Sequence, residues 1–281
     1  MAVPTYAGPL ERAWYYGFRG ICALIFIFLI TPILVIVPLS FNVEPYFSFT
    51  EGMLTLDPDA YSLKWYEDFF SSDRWQESIK NSVIVAFFAT ILSTSLGTVA
   101  ALGLSRSELP YKGLIMGLLI SPMIVPLIIA AAGMFFFYSS LGISNSYFGL
   151  ILAHTALGTP FVVITVTATL SNFDTTLIKA GASLGATPTY TFFKVTMPLI
   201  MTGVISGALF ALMTSFDEVV VAIFIAGVEQ RTMPMQMWAG IREQISPTIL
   251  AVATLLVALS IIMLSTVEIL RRRSDRIRGI S

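Results

Sequence analysis

Residues 171–198 read Ser171-Asn-Phe-Asp-Thr-Thr-Leu-Ile-Lys-Ala-Gly-Ala-Ser-Leu-Gly-Ala-Thr-Pro-Thr-Tyr-Thr-Phe-Phe-Lys-Val-Thr-Met-Pro198. Helix connections in bundles usually take about two to eight residues, and this stretch is far longer. Asp174 or Ser171 can cap a helix beginning near Thr175, and Gly185 can close it in a left-handed turn. Thr187 then caps a second helix with Pro188 in its first turn. Phe192, Phe193 and Val195 give that helix an apolar side, and Met197-Pro198 is expected to end it. The pattern predicts two short helices around a glycine turn. Leu177, Ile178, Leu184 and Phe192 are apolar side chains in an otherwise polar segment, and a partner protein can supply the cover they need.

The flanking sequence says where this segment sits. The chain has 281 residues, 56% hydrophobic and only 12% charged, with a mean hydropathy of +0.83. A soluble domain carries about 25% charged residues, so a solvated globular enzyme and a disordered chain are both excluded. A spanning helix needs about 20 mainly apolar residues. Such runs lie at about 21–41, 82–104, 114–138, 148–170, 198–216 and 248–270. The apolar stretch 219–228 is too short to cross and reads as re-entrant or as a continuation of the fifth span. Arg12 and Arg19 precede the first run as in a signal peptide. The run is too long for one and no small-residue cleavage site follows Ser40, so it is expected to be retained. The expected fold is all-α and integral to the membrane: a single transmembrane domain over 1–281, six spanning helices, an external loop at 42–80 and a loop at 171–197.

A net charge of −1 hides a strong asymmetry. Arg12, Arg19, Arg106, Lys112, Lys179, Lys194, Arg271, Arg272, Arg273, Arg276 and Arg278 fall on the side of the termini. Lys64, Arg74, Lys80, Arg231 and Arg242 fall on the other. The excess places both termini and the 171–197 loop in the cytoplasm. The run after the last span reads as a topology anchor touching anionic lipid rather than a nucleic-acid tail. The loop 42–80 is acidic, with Glu44, Glu51, Asp57, Asp59, Glu67, Asp68, Asp73 and Glu77. Its aromatics Tyr61, Trp65, Tyr66, Phe69, Phe70 and Trp75 suit a short helix at the interface. A plain solvated loop and a docking surface for a partner or cationic solute both fit it.

Few polar groups lie within the spans. Asp217 and Glu218 interrupt apolar sequence, and charges there normally face a cavity or partner. They are the candidate site for an ammonium group, with Ser215 and Thr214 beside them. Tyr138 and Trp238 are candidates to stack on a cation, as are Phe135 and Tyr147. His154, the only histidine, is expected to make a structural hydrogen bond between helices rather than relay protons. Pro122, Pro126 and Pro160 remove backbone hydrogen bonds within spans, while Gly203-x-x-x-Gly207 permits close helix packing. The single Cys22 and single histidine exclude disulfide frameworks and paired-histidine metal sites, so no metal or catalytic residue is expected.

The segment Lys179-Ala-Gly-Ala-Ser-Leu-Gly185, followed by Val195-Thr-Met-Pro198, resembles the E-A-A-x-x-x-G…I-x-L-P pattern of type I (MetI-like) permease subunits of ATP-binding-cassette importers. Ala180, Gly185 and Pro198 match in place, whereas Lys179 replaces the acidic residue and Gly181 the second alanine. Asn81-Ser-Val, Ala153-His154 through Pro160-Phe-Val-Val, and Ser215-Phe-Asp-Glu-Val-Val resemble the PotC-type branch, associated with spermidine and putrescine uptake. The likeness covers about residues 20–272. It implies a bacterial inner-membrane subunit that pairs with a second homologous permease, a dimer of ATP-binding subunits and an extracytoplasmic solute-binding protein. It further implies that Lys179, Ala180, Gly181, Leu184, Gly185, Ala186, Phe192 and Pro198 couple to the ATPase. ATP and magnesium would be held by that partner, because this chain has no G-x-x-x-x-G-K-[ST] phosphate loop. Importers of amino-acid derivatives, opines or ferric iron share the look. An ATP-independent secondary transporter would favour inverted halves, which are not evident. An intramembrane enzyme would need catalytic motifs the sequence lacks.

Overall fold

The computed structural model describes residues 8–106, 108–171, 173–243 and 246–277. Helices dominate it, and its contacts fall into two units. One unit comprises Met1–Ser72 with Glu243–Ser281, the other Asp73–Arg242.

In the first unit, α1 (Pro9–Leu39) begins well before the apolar run that announced it. Its apolar window has no residue buried inside the protein, as suits a helix whose cover is hydrocarbon. A short α2 (Glu51–Leu54) and α3 (Lys64–Ser71) follow, and α13 (Thr248–Ile277) packs on α1 and α3. The segment between α1 and α3 is folded rather than loose, because Asn42 is fully buried and organises it. Its Nδ2 donates to the carbonyls of Tyr46 and Ser48, its Oδ1 accepts from the Glu44 N–H, and its carbonyl accepts from Trp65 Nε1 at 2.7 Å. The Thr248 hydroxyl donates to Asp68 at 2.7 Å and ties α13 to α3. Helix α13 takes in Arg271, Arg272, Arg273 and Arg276 of the basic run, and Arg278 lies outside the described residues.

The second unit is built on α4 (Asp73–Leu104), α7 (Tyr147–Leu170) and α10 (Met197–Asp217). Helix α7 is the central one, with 61% of its apolar window buried. Small residues let the three approach closely. A Cβ on Gly207 would stand 2.8 Å from the Val162 Cα, and one on Gly158 would stand 2.7 Å from Ser93 Oγ. These contacts give the close packing expected of Gly203-x-x-x-Gly207.

Several sequence expectations need correction here. The run 114–138 is not one straight span: α5 (Lys112–Ile124) and α6 (Leu127–Ser140) meet at an angle of 103°. Pro122 and Pro126 bracket the break, and neither can donate the hydrogen bond that would carry the helix through it. Met197-Pro198 does not end the second helix expected in the 171–197 loop. Instead α9 (Pro188–Thr191) continues through a π-turn at Phe192–Thr196 into α10. The Met197 N–H reaches back to the Phe192 carbonyl across that wider turn. The widening accommodates Pro198, whose ring would otherwise crowd the preceding turn. The helix that carries the fifth apolar run therefore starts at Pro188 rather than 198. The stretch 219–228 does not continue it either, because Glu218 is extended and α11 (Val220–Ile225) is a separate short helix. Among the described residues four helices are long and apolar enough to cross a membrane, or five with the bent pair. In α13 the described apolar run is Thr248–Ile262, shorter than a span.

Candidate solute pathway and coupling hairpin

The break between α10 and α11 carries the two acids singled out from the sequence. Glu218 is buried, and its Oε1 accepts the Val221 N–H at 2.7 Å. It thereby satisfies one of the free donors at the start of α11. Asp217, one residue earlier, is exposed. Adjacent carboxylates thus have different settings, one holding the backbone at the break and the other presented outward. Ser215 is buried one turn below, where its Oγ lies 2.8 Å from His154 Nδ1. His154 belongs to α7, so this is the interhelical hydrogen bond expected of the lone histidine. Thr214 is half-buried.

The aromatic candidates separate as well. Tyr138, at the end of α6, is buried in a cluster with Val85, Leu150, Ala153, Val221 and Ala222. That cluster holds α11 against the central helices, so Tyr138 supports the segment capped by Glu218. Trp238 lies on α12 (Met233–Glu243) and is 48% exposed. The six pathway candidates thus divide into a buried set, Ser215, Glu218 and Tyr138, a half-buried Thr214, and an exposed set, Asp217 and Trp238.

Sequence reasoning missed a polar clamp near these residues. Asn81, buried in α4, donates from Nδ2 to the carbonyls of Glu229 at 2.8 Å and Arg231 at 3.0 Å. Its Oδ1 accepts the Tyr147 hydroxyl of α7. Next to it, Ser82 Oγ accepts the Met233 N–H at 2.8 Å. The segment joining α11 to α12 is therefore stapled to α4 by side chains. The available signal was an asparagine followed by serine at the head of an apolar run, where a buried amide must find partners.

The other candidate site is the hairpin of α8 (Thr176–Ser183) and α9. Asp174 Oδ1 accepts the Thr176 N–H at 2.9 Å, and hydrogen bonds from the Thr176 hydroxyl and N–H hold its carboxyl below the usual carboxylate range. Gly185 has φ +78°. Around it the Gly185 N–H donates to Ala182 and the Ala186 N–H to Gly181, each at 3.0 Å, a paired stop that needs a left-handed residue. Thr187 Oγ1 accepts the Tyr190 N–H at 3.3 Å. Gly181 faces Thr191, and a Cβ there would stand 3.0 Å from its Oγ1, which accounts for glycine where the pattern has alanine. Leu184 is 87% exposed at the tip. Lys179, Ala180, Gly185 and Pro198 are exposed too, and Gly181, Ala186 and Phe192 half-buried.

Comparison with known proteins places these elements in a context. Residues 93–276 match the family described as binding-protein-dependent transport system inner membrane component. The spermidine/putrescine transport system permease protein PotC of Haemophilus influenzae is 29% identical over 252 residues, 90% of this chain and 95% of its own length. The putrescine transport system permease protein PotI of Escherichia coli K12 is 29% identical over 239 residues, 82% of each chain. In fold, the chain resembles one in the crystal structure of a bacterial ABC transporter that imports the acidic polysaccharide alginate. The TM-score is 0.74 at 14% identity, covering 95% of this chain and 99% of that one.

Proposed function

The chain belongs to the family of inner membrane components of binding-protein-dependent transport systems, and from that premise we propose that it forms half of the path by which a polyamine enters the cell. It is a permease subunit and not an enzyme. A second homologous permease supplies the other half, a dimer of ATP-binding subunits supplies the energy, and an extracytoplasmic protein delivers the solute. Both termini and the α8–α9 hairpin face the cytoplasm, in keeping with the excess of lysine and arginine on that side. The six crossings comprise α1, α4, the bent pair α5–α6, α7, the helix running from α9 into α10, and α13.

The observation that carries this reading is the hairpin itself. Its turns are fixed by Asp174, Gly185 and Thr187, yet Leu184 at its tip is left in water. A rigid element presenting an apolar side chain is what a docking groove on an ATP-binding subunit can grip. Closure of the ATP-binding dimer then moves the hairpin, and the continuous helix from Pro188 to Asp217 carries that displacement to the α10–α11 break.

The polyamine assignment draws on PotC and PotI, both named for such solutes, and on the exposed carboxylate of Asp217. A carboxylate in the outer half of the pathway attracts an ammonium group without immobilising it. Glu218, engaged in holding α11, shapes the site, and Thr214 and Trp238 border it.

The test is uptake of labelled spermidine and putrescine by vesicles containing the reconstituted complex. Asp217→Asn is expected to lower uptake about tenfold, the loss of one charge-assisted contact. Unchanged uptake would remove Asp217 from the pathway. Transport of an opine or ferric iron with no polyamine transport would replace the solute assignment.

A further inference from the structure

A second exposed apolar tip lies in the first unit, at the end of α2. The Leu56 N–H donates to the Met53 carbonyl at 3.3 Å and the Asp57 N–H to the Gly52 carbonyl at 2.8 Å. These paired bonds stop a helix by putting the next residue in the left-handed region, where glycine is favoured. Here that residue is Leu56, at φ +58°. Its side chain is 76% exposed, and that of Leu54 is 71% exposed. Leu56 thus bears backbone strain and recovers almost no burial in return.

Charge narrows what can cover this tip. Glu51, Asp57 and Asp59, within five residues of it in sequence, are all exposed, as is Glu44 in the same segment. Lys64 is the only base between residues 42 and 72. Its ammonium is already engaged by the Val43 carbonyl and lies 4.4 Å from the Trp65 ring centre. Anionic lipid headgroups would be repelled, and so would the same tip on a second copy. An apolar notch rimmed by lysine or arginine fits instead.

We propose that the Leu54–Leu56 tip is a docking knob for the extracytoplasmic solute-binding protein, which receives it in a basic-rimmed apolar notch. This rests on the importer reading, and it adds the surface and the chemistry of the contact.

The test uses the full complex in nanodiscs of neutral lipid, titrated with the solute-binding protein of the same transport system, with ATPase stimulation as the readout. Leu56→Gly removes the knob and relieves the strain, so docking and stability should move in opposite directions. Leu54→Ser removes apolar contact alone. Each is expected to raise the half-saturating concentration of binding protein about tenfold, as loss of a central contact does. Basal ATPase should be unchanged, and the melting temperature of Leu56→Gly no lower than that of the unsubstituted chain. Half-saturation within about twofold of the unsubstituted complex for both variants would overturn the proposal. So would a rise accompanied by a lower melting temperature in Leu56→Gly. Assembly with unchanged half-saturation overturns the knob alone, whereas a complex that no binding protein stimulates overturns the importer reading with it.

Discussion

His154 and Ser215 join α7 to α10 through a buried hydrogen bond. The histidine is 1% exposed and its Nδ1 is 2.8 Å from the serine hydroxyl of another helix. His154→Ala is expected to cost roughly 1 kcal/mol from the lost interhelical hydrogen bond, with a further penalty for the cavity. It should lower the melting temperature in detergent and leave the shape of the pH–uptake profile unaltered. A changed profile would mean that the ring exchanges protons during transport. Asp174 makes a second residue-level prediction. Hydrogen bonds from Thr176 lower its folded pKa, so its support of α8 is complete above the ordinary carboxylate value. That support disappears as pH falls through the lower folded value. Hydrogen exchange at Thr176, corrected for the intrinsic rate, should show protection constant through neutral pH and lost only at strongly acid pH. Asp174→Asn should abolish that acid transition.

Among the elements, the three central helices and the hairpin owe their form to small residues in different ways. Gly207 is required by closeness, since any side chain there meets the backbone of α7 at Val162. Gly207→Val should cost about 1–3 kcal/mol by overpacking, read as reduced melting temperature and poorer monodispersity of the purified chain. Gly185 is required by conformation alone, because a Cβ there meets open space while φ is +78°. Gly185→Ala should therefore leave α4, α7 and α10 intact and loosen only the hairpin stop, at about 1 kcal/mol. Uptake should fall while the melting temperature changes little. The hairpin was legible in advance, since capping residues and a turn glycine act locally and sequence displays them. The bent α5–α6 pair was only half legible. Pro122 and Pro126 marked the break, but an angle of 103° depends on what packs beside it. The run-through at Pro198 was misread because proline usually ends a helix, and the π-turn that absorbs it leaves no local signal.

At the scale of the molecule, the membrane class and the permease family were both readable, one from low charge and the other from the 179–198 pattern. The family match over 93–276 and the PotC and PotI relatives bear out that resemblance. The candidate pathway residues were harder. Glu218 caps α11 three residues on, at a break the sequence did not show, and Ser215 and Tyr138 find their partners, His154 and an apolar cluster, on other elements. The Asn81 clamp was hidden for the same reason, because its partners follow it by more than sixty positions. Orientation is checked by cysteine labelling in a Cys22→Ser background. Cysteine at Leu184 should react only when the cytoplasmic face is open to reagent, and cysteine at Leu54 only from outside. The most direct measurement of the whole account is retention of the ATP-binding subunit when this chain is purified with its neighbours. The chain as it stands should retain that subunit. Leu184→Asp should retain about tenfold less, since a buried contact becomes a desolvated charge, and should keep the second permease. A chain that never retains an ATP-binding subunit, or a Leu184→Asp variant that retains it fully, would contradict the claim that this hairpin couples the permease to ATP.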